Sequence, residues 1–269
     1  MRLLSGAVGL FGLVAALAAY KLGDSFLYLV SGAALLCALT TSMSARISAF
    51  MKIFVAIFST ETIIFGLAVL LLHAEKWPDR LKEFTPPDSL PLTVAMFSIL
   101  CYVVSRLRVM QEPLRIADLY FTNSDRGSAR VWPFGAYTAP ERRIAVAMIA
   151  ALVLINQAQV AITVRLSFFN RDWFNAIQNK DAATFWKLLL WVFVPFAFVY
   201  IASAIIEFVL QSMLVIRWRR WLTDFYVSHW LGHHAHYRMS LAGGAADNPD
   251  QRIAEDVNRF IIGGGDGEG

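Results

Sequence analysis

The chain has 269 residues, of which 57% are hydrophobic and only 16% charged, and its mean hydropathy is +0.53. Soluble domains carry about 25% charged residues, so this composition excludes an ordinary water-soluble enzyme and points to an all-α, polytopic helical membrane protein. The net charge of +4 is small for a nucleic-acid binder; in a membrane chain it is read by position, and no nucleic-acid partner is expected.

In chain order, six apolar runs approach the roughly 20 residues a helix needs to cross a bilayer. They cover 3–20, 25–43, 53–72, 91–109, 144–164 and 185–216. Arg2 and the small residues closing the first run imitate a secretory signal, but with five runs behind it a retained helix is the better reading. Cys37 and Cys101 each lie inside an apolar run and read as small buried hydrophobes, not as a disulfide or metal pair. Glu61, in STETIIF of the third run, is a costly residue to place in lipid. It reads as an interhelical hydrogen-bonding group or, less readily, as a cavity or proton-relay residue.

The links between runs differ in character. Trp77 to Pro91 is short, polar and proline-rich, an outside loop. The stretch 112–143 mixes arginines with Trp132, Phe134 and Tyr137, and reads as a cytoplasmic or interfacial connector after a four-span N-terminal extension, 1–111. Basic residues fix the orientation. Arg2, then Arg46 and Lys52, then the connector's arginines, then Arg217, Arg219 and Arg220 all fall on one side of a six-span chain, which places both termini in the cytoplasm. The segment between Arg165 and Lys187 is also moderately basic and falls on the other side.

The fifth and sixth runs hold the polar residues best placed to line a path through the membrane. Asn156, Gln157 and Gln159 cluster in LINQAQVAI, and Glu207 and Gln211 stand one helical turn apart in the sixth. Buried polar residues in membrane helices either bond across helices or face a water-filled cavity, and both readings stand here. Beyond the sixth run, HWLGHHAHYR offers His229 and His233 at i, i+4, a chelating spacing without a carboxylate or cysteine to complete it. A polar helix surface that uses histidine is the better reading of His229, His233, His234 and His236.

Residues NPDQRIAEDV then begin a short helix. Asn248 suits the N-cap, Pro249 the first turn, and Gln251 the position from which a side chain reaches back to the cap. Ile253, Val257, Phe260 and Ile261 form an apolar stripe on an otherwise charged helix, which must lie against some surface. The closing residues 263–269, GGGDGEG, lack the lysine, hydroxyl and following helix of a phosphate-binding loop, and no hydrolytic site is expected on this chain.

Three segments in this order, FFNRDWFNAIQNKDAATFWKLL, IRWRRWLTDFYVSHWL and DNPDQRIAEDVNRF, resemble the transmembrane domain of ABC transporters of the SbmA/BacA and YddA type, relatives of the peroxisomal ABCD half-transporters. The resemblance covers roughly residues 140 to 262, and DNPDQRIAEDV is its most specific part. It implies that residues 144–262 supply two core helices, the second extending into the cytoplasm, followed by a coupling helix that docks on a nucleotide-binding domain. The coupling residues are then Asn248, Pro249, Asp250, Gln251, Arg252, Glu255 and Asp256. ATP and magnesium are implied in that further domain, which the family normally carries fused, and a homodimer is implied for the full-length protein.

Because a full family member continues with four more core helices and the nucleotide-binding domain, the chain reads as truncated before them. Its arm from Arg217 onward is then expected to lack the helix it packs on, and to be poorly supported. The leading function is the membrane part of an ATP-driven transporter in the bacterial inner membrane, moving a peptide, a hydrophilic solute or an acyl-type substrate. The alternatives are a proton-coupled peptide uptake protein of the SbmA/BacA type and a membrane scaffold without transport.

Overall fold

The computed structural model describes residues 1–78, 85–131, 135–232, 237–238, 241 and 249–262. They form two compact units, Met1–Arg126 with Pro140–Arg142, and Gly127–Ala139 with Arg143–Gly269.

The first unit is built from α1 (Arg2–Leu22), α2 (Ser25–Ser42), α3 (Ala49–His73) and α4 (Leu90–Val104). Their ends show an up-and-down course. At one end Ser5 Oγ donates to the Ala38 carbonyl at 2.8 Å and Tyr102 Oη approaches Met43 Sδ at 3.7 Å, so the start of α1, the close of α2 and the close of α4 meet. At the other end the two ring nitrogens of His73 face Asp24 and Asp88, which ties the α1–α2 corner to the close of α3 and the approach to α4. The corner itself turns through Gly23, at φ 68°, and Asp24 then caps α2 by accepting from the Phe26 amide at 2.8 Å.

With little polar surface to sort, close approach decides which helix faces meet. A Cβ on Gly12 would stand 2.9 Å from Leu35 Cγ, and one on Gly66 would stand 2.3 Å from Phe11 Cζ. Glycine at these two positions lets α1 seat against α2 and α3. The seat is filled by a core of Val8, Phe11, Ala15, Val30, Ala34, Cys37 and Ala95. A polar seam crosses this core. The Ser59 hydroxyl lies 3.0 Å from both the Thr41 and Ser98 hydroxyls and 3.3 Å from Cys37 Sγ, linking α2, α3 and α4 through groups that are fully buried.

The fourth span departs from the sequence expectation of 91–109. Its helix stops at Val104, Leu107 is extended (φ −67°, ψ 131°), and α5 (Arg108–Phe121) leaves at 92° to α4. Fifteen residues rise only about 22 Å, against a hydrocarbon core of about 30 Å. The end contacts above nevertheless carry α4 across the whole bundle. Among the described residues, five helices are long and apolar enough to cross a membrane, or six when the bent α4–α5 pair counts as one span.

The second unit begins with a two-stranded hairpin, β1 (Arg126–Val131) and β2 (Gly135–Pro140), a small exception in an otherwise helical protein. The long helix α6 (Glu141–Gln178) follows, then α7 (Ala182–Leu188), a π-helical turn at Leu189–Phe193, and α8 (Val194–Leu231). Pro195 accounts for the π turn: it supplies no amide hydrogen and its ring crowds the carbonyl four residues back. Val194 accordingly donates to Leu189, five residues back. At one end Ala139, Ile144 and Met148 pack with Ala129, Leu210, Met213 and Leu214, and Arg217 Nη1 donates to the Ser128 carbonyl at 2.8 Å. These contacts clamp the hairpin to α6 and α8. At the other end, stacked rings of Phe169, Trp173, Phe185 and Phe193 bind α6 to the α7–α8 turn.

The closing helix, α9 (Pro249–Ile262), packs on the extension of α8, a contact made within the arm itself. Val257 is 4% exposed, Leu222 of α8 is fully buried, and the Phe260 ring meets Trp218 edge-on at 5.8 Å. The apolar stripe of α9 turns inward onto the extension of α8.

Candidate functional site

Asn156 and Gln159 are three residues apart on α6 and so share a face, whereas Gln157 points off it. That face meets Glu207 of α8. Gln159 Nε2 donates to Glu207 Oε2 at 2.8 Å, and Asn156 Nδ2 lies 3.5 Å from Oε1. Both carboxylate oxygens therefore have an amide donor, the longer contact at the limit of a useful bond. Glu207 and Gln159 are half-buried, Asn156 is exposed, and Gln211 stands exposed one turn further along α8. Of the sequence candidates the fold thus brings Asn156, Gln159 and Glu207 into one cluster, with Gln157 and Gln211 beside it.

The cluster sits within the apolar stretches of α6 and α8, where a carboxylate is costly unless it is bonded or reached by water. Two amides offset part of that cost without cancelling the charge. The arrangement can hold a polar group, exchange a proton or bind a cation at the exposed side of the carboxylate. Around it α8 presents Phe198, Ile201, Ile205 and Phe208, each more than half exposed, so the polar site opens in an apolar surface.

The second candidate element is α9. Gln251, Arg252, Glu255 and Asp256 are exposed along its outer face, while Ile253, Val257, Phe260 and Ile261 are turned towards α8 to different depths. Gln251 Nε2 donates forward to Glu255 Oε1 at 2.8 Å, one turn on. Asn248 lies outside the described residues, as do the side chains of Pro249 and Asp250.

The remaining candidates are placed as follows. Glu61 is buried on α3, at 6% exposure. His229 directs Nδ1 to the Phe225 carbonyl at 2.8 Å and its ring meets that of Phe225 at a tilt, so that nitrogen is engaged within α8. His233, His234 and His236 lie outside the described residues, and among the described residues no three metal-ligating side chains converge. Outside the spans, the His73 ring holds the Asp24 carboxyl below the usual carboxylate range, with help from the Phe26 amide. Asp181, which caps α7, is likewise lowered by the Thr184 hydroxyl and amide.

Sequence reading missed two features that shape this region. The π turn was signalled by Pro195 in LLWVFVPFAF, inside a run otherwise long enough to be one straight helix. The clamp from Arg217 to Ser128 had no local signal, because its partners are 89 residues apart.

Comparison with known proteins bears on this half of the chain. The family profile described as ABC transporter transmembrane region 2 matches residues 137–263. The chain is 35% identical over 121 residues to the inner membrane ABC transporter ATP-binding protein YddA of Escherichia coli (strain K12), a match covering 44% of this chain and 21% of that protein. It is 30% identical over 135 residues to an uncharacterized ABC transporter ATP-binding protein of Haemophilus influenzae, covering 48% and 22%. It is 29% identical over 150 residues to ABC transporter D family member 2, chloroplastic, of Arabidopsis thaliana, covering 54% and 18%. The matched part amounts to about a fifth of the length of each relative. No solved structure matches the chain.

Proposed function

We propose that this chain, whose residues 137–263 are an ABC transporter transmembrane region, supplies the first core helices and the coupling element of an ATP-driven transporter. The observation that carries this reading is α9. A charged outer face on a helix whose apolar stripe is already seated on α8 leaves Gln251, Arg252, Glu255 and Asp256 open to a partner, and an exposed mixed-charge helix suits the polar rim of a docking site. The partner is a nucleotide-binding domain, which brings ATP and magnesium. Its motion enters the membrane unit through the continuous helix α8, which joins Leu222 beneath α9 to Glu207 in the apolar stretch.

In this reading α6 and α8 line part of the path, and Asn156, Gln159 and Glu207 offer polar contacts to a solute crossing between apolar surfaces. Gln157 and Gln211 extend that lining. The solute is a peptide, another hydrophilic compound or an acyl-type molecule. The protein lies in the bacterial inner membrane with both termini in the cytoplasm, and the full-length protein pairs as a homodimer.

The test is a photo-crosslinking amino acid introduced in cells at Glu255, with the adduct identified by mass spectrometry. A nucleotide-binding domain carrying GxxxxGK[ST] is expected in the adduct, and would be lost when the probe is moved to Val257. Adducts with lipid alone, or with proteins lacking that motif, would sink the reading.

A second reading, proton-coupled uptake without a nucleotide-binding domain, is favoured by one observation: Glu207 is a carboxylate in an apolar stretch whose hydrogen-bond partners among the described residues are the amides of Asn156 and Gln159. Uptake driven by an imposed proton gradient that vanishes in Glu207→Gln, with no dependence on ATP, would select it.

A further inference from the structure

We propose that α5 is an interfacial helix that binds anionic phospholipid headgroups. This surface belongs to the first unit and is independent of the transport reading above.

The rotation of α5 is fixed on its inner side. Leu114, Ala117, Tyr120 and Phe121 are buried, and the Phe121 ring lies 5.0 Å from Phe50 in the first turn of α3. Asp118 accepts from the Ser48 hydroxyl at 2.6 Å and from the Phe50 amide at 3.0 Å, pinning α5 to the start of α3. With the inner face so committed, the outward surface divides into two neighbouring stripes. Arg108 and Arg115 are seven residues apart and share one. Val109 and Ile116, also seven apart, share the next, with Leu119 near both.

The apolar stripe is open. Val109 is 80% exposed, and Leu107 and Leu119 stay partly exposed beside it. The axis of α5 makes 92° with that of α4, and α4 crosses the bundle from the His73 end to the Met43 end. A helix perpendicular to a membrane-crossing helix lies in the membrane plane. It sits at the end of the bundle where α4 runs out of apolar residues, which is the depth of the headgroups. A stripe of valine, isoleucine and leucine beside a stripe of arginine is the pattern of a helix resting at the acyl boundary.

Charge selects the lipid. The helix has two carboxylates; Asp118 is turned inward, and Glu112 is 3.3 Å from Arg115. Arg106 and Arg108 add two further exposed cations in the same bend. Guanidinium groups at headgroup depth bind phosphate oxygens bidentately, and a net positive stripe prefers a lipid with a net negative headgroup to a zwitterionic one. A second copy of the chain fits poorly, since pairing these faces would set arginine against arginine.

The test uses the full chain in nanodiscs, with Val109→Cys carrying an NBD fluorophore in a Cys37→Ser, Cys101→Ala background; Leu119→Cys serves as a second label site. Acyl-brominated phosphatidylglycerol or phosphatidylcholine is supplied as the quencher in mixed bilayers. NBD is expected to emit as from an apolar site and to be quenched more by the brominated anionic lipid. Each arginine contributes roughly fivefold to that preference, so Arg106→Gln, Arg108→Gln and Arg115→Gln together remove it, with helicity and the unfolding midpoint unchanged. Arg108→Gln alone gives the intermediate value. Water-like emission with no quenching overturns the proposal, as does equal quenching by both lipids. Quenching protection that grows with protein concentration assigns the face to a second copy, and also overturns it.

Discussion

Glu207 shows what a single residue can and cannot announce. A carboxylate in an apolar run is legible in the sequence, and so are the amides of Asn156 and Gln159, but their pairing across 48 and 51 residues is not. Glu207→Ala is expected to leave both amides without their acceptor. It should lower the unfolding midpoint modestly, since interhelical hydrogen bonds in membranes are worth about 0.6 kcal/mol on average, and reduce transport by the full-length protein far more than it reduces stability. Equal losses in both, measured by thermal unfolding in detergent and by uptake into proteoliposomes, would make the cluster structural. Gly66 lies on the packing side of the same lesson. Gly66→Ala places a methyl group against the Phe11 ring, which is itself buried, so a loss of about 1–3 kcal/mol is expected in thermal unfolding.

A third residue-scale prediction concerns Asp24. Its carboxyl is lowered in the folded protein by His73, so the ionised form stabilises the fold. The sign follows: that stability is fully present above the ordinary value of 3.8, and is lost as pH falls through the lower folded value. The stability difference between the parent and Asp24→Asn should therefore shrink as pH falls through that range, and shrink again as pH rises through the His73 value that Asp24 holds above the ordinary 6.5. A gap unchanged at acid pH would show that Asp24 acts only as a hydrogen-bonded cap.

Among the elements, α9 and the α7–α8 turn carry the sharper expectations. The sequence marks α9 as short, capped and amphipathic, but it does not say which surface the stripe meets, because that surface is made by Trp218 and Leu222 some 30 or more residues earlier in the chain. Val257→Ala removes two buried methyl groups and should cost the α9 seat about 1–2 kcal/mol. Hydrogen exchange should then speed up across 249–262 while the amides of α8 near Glu207 stay protected. Simultaneous loss of protection in both would mean that α9 does not open separately. At the other end of α8, Pro195→Ala permits an ordinary α-turn in place of the π turn, which rotates everything beyond it by about 100°. A short bifunctional thiol reagent should link Gln159→Cys to Glu207→Cys in the parent, and should fail in Pro195→Ala. Cross-linking that survives this change would place the rotation elsewhere.

On the scale of the whole molecule, whether the number of crossings is even depends on α4, the shortest span. Its 15 residues are too few for a comfortable crossing, but the contacts of Tyr102 with Met43 and of Asp88 with His73 fix its two ends at opposite ends of the bundle. Cysteine labelling at Arg2 and at Arg220 should report the same side, and labelling at Lys21 the other, in oriented vesicles. Opposite sides for Arg2 and Arg220 would mean that one of the six spans does not cross.

Composition and periodicity were sufficient to determine the class of protein and the starts of the helical spans to within a few residues, and the resemblance of three segments marked out the part that matches ABC transporter membrane regions, residues 137–263. Lipid enforces these: a backbone in hydrocarbon must satisfy its hydrogen bonds locally, so an apolar run is a helix. The arrests and turns were decided by tertiary contacts. The right-angle bend after α4, the hairpin clamped by Arg217, the inward stripe of α9 and the pairing of Glu207 with two amides join residues far apart in sequence. No local pattern encodes which of several apolar faces a helix will bury, because in a chain this apolar nearly every face is eligible, and only the fit of side chains such as Phe11 on Gly66 makes the choice.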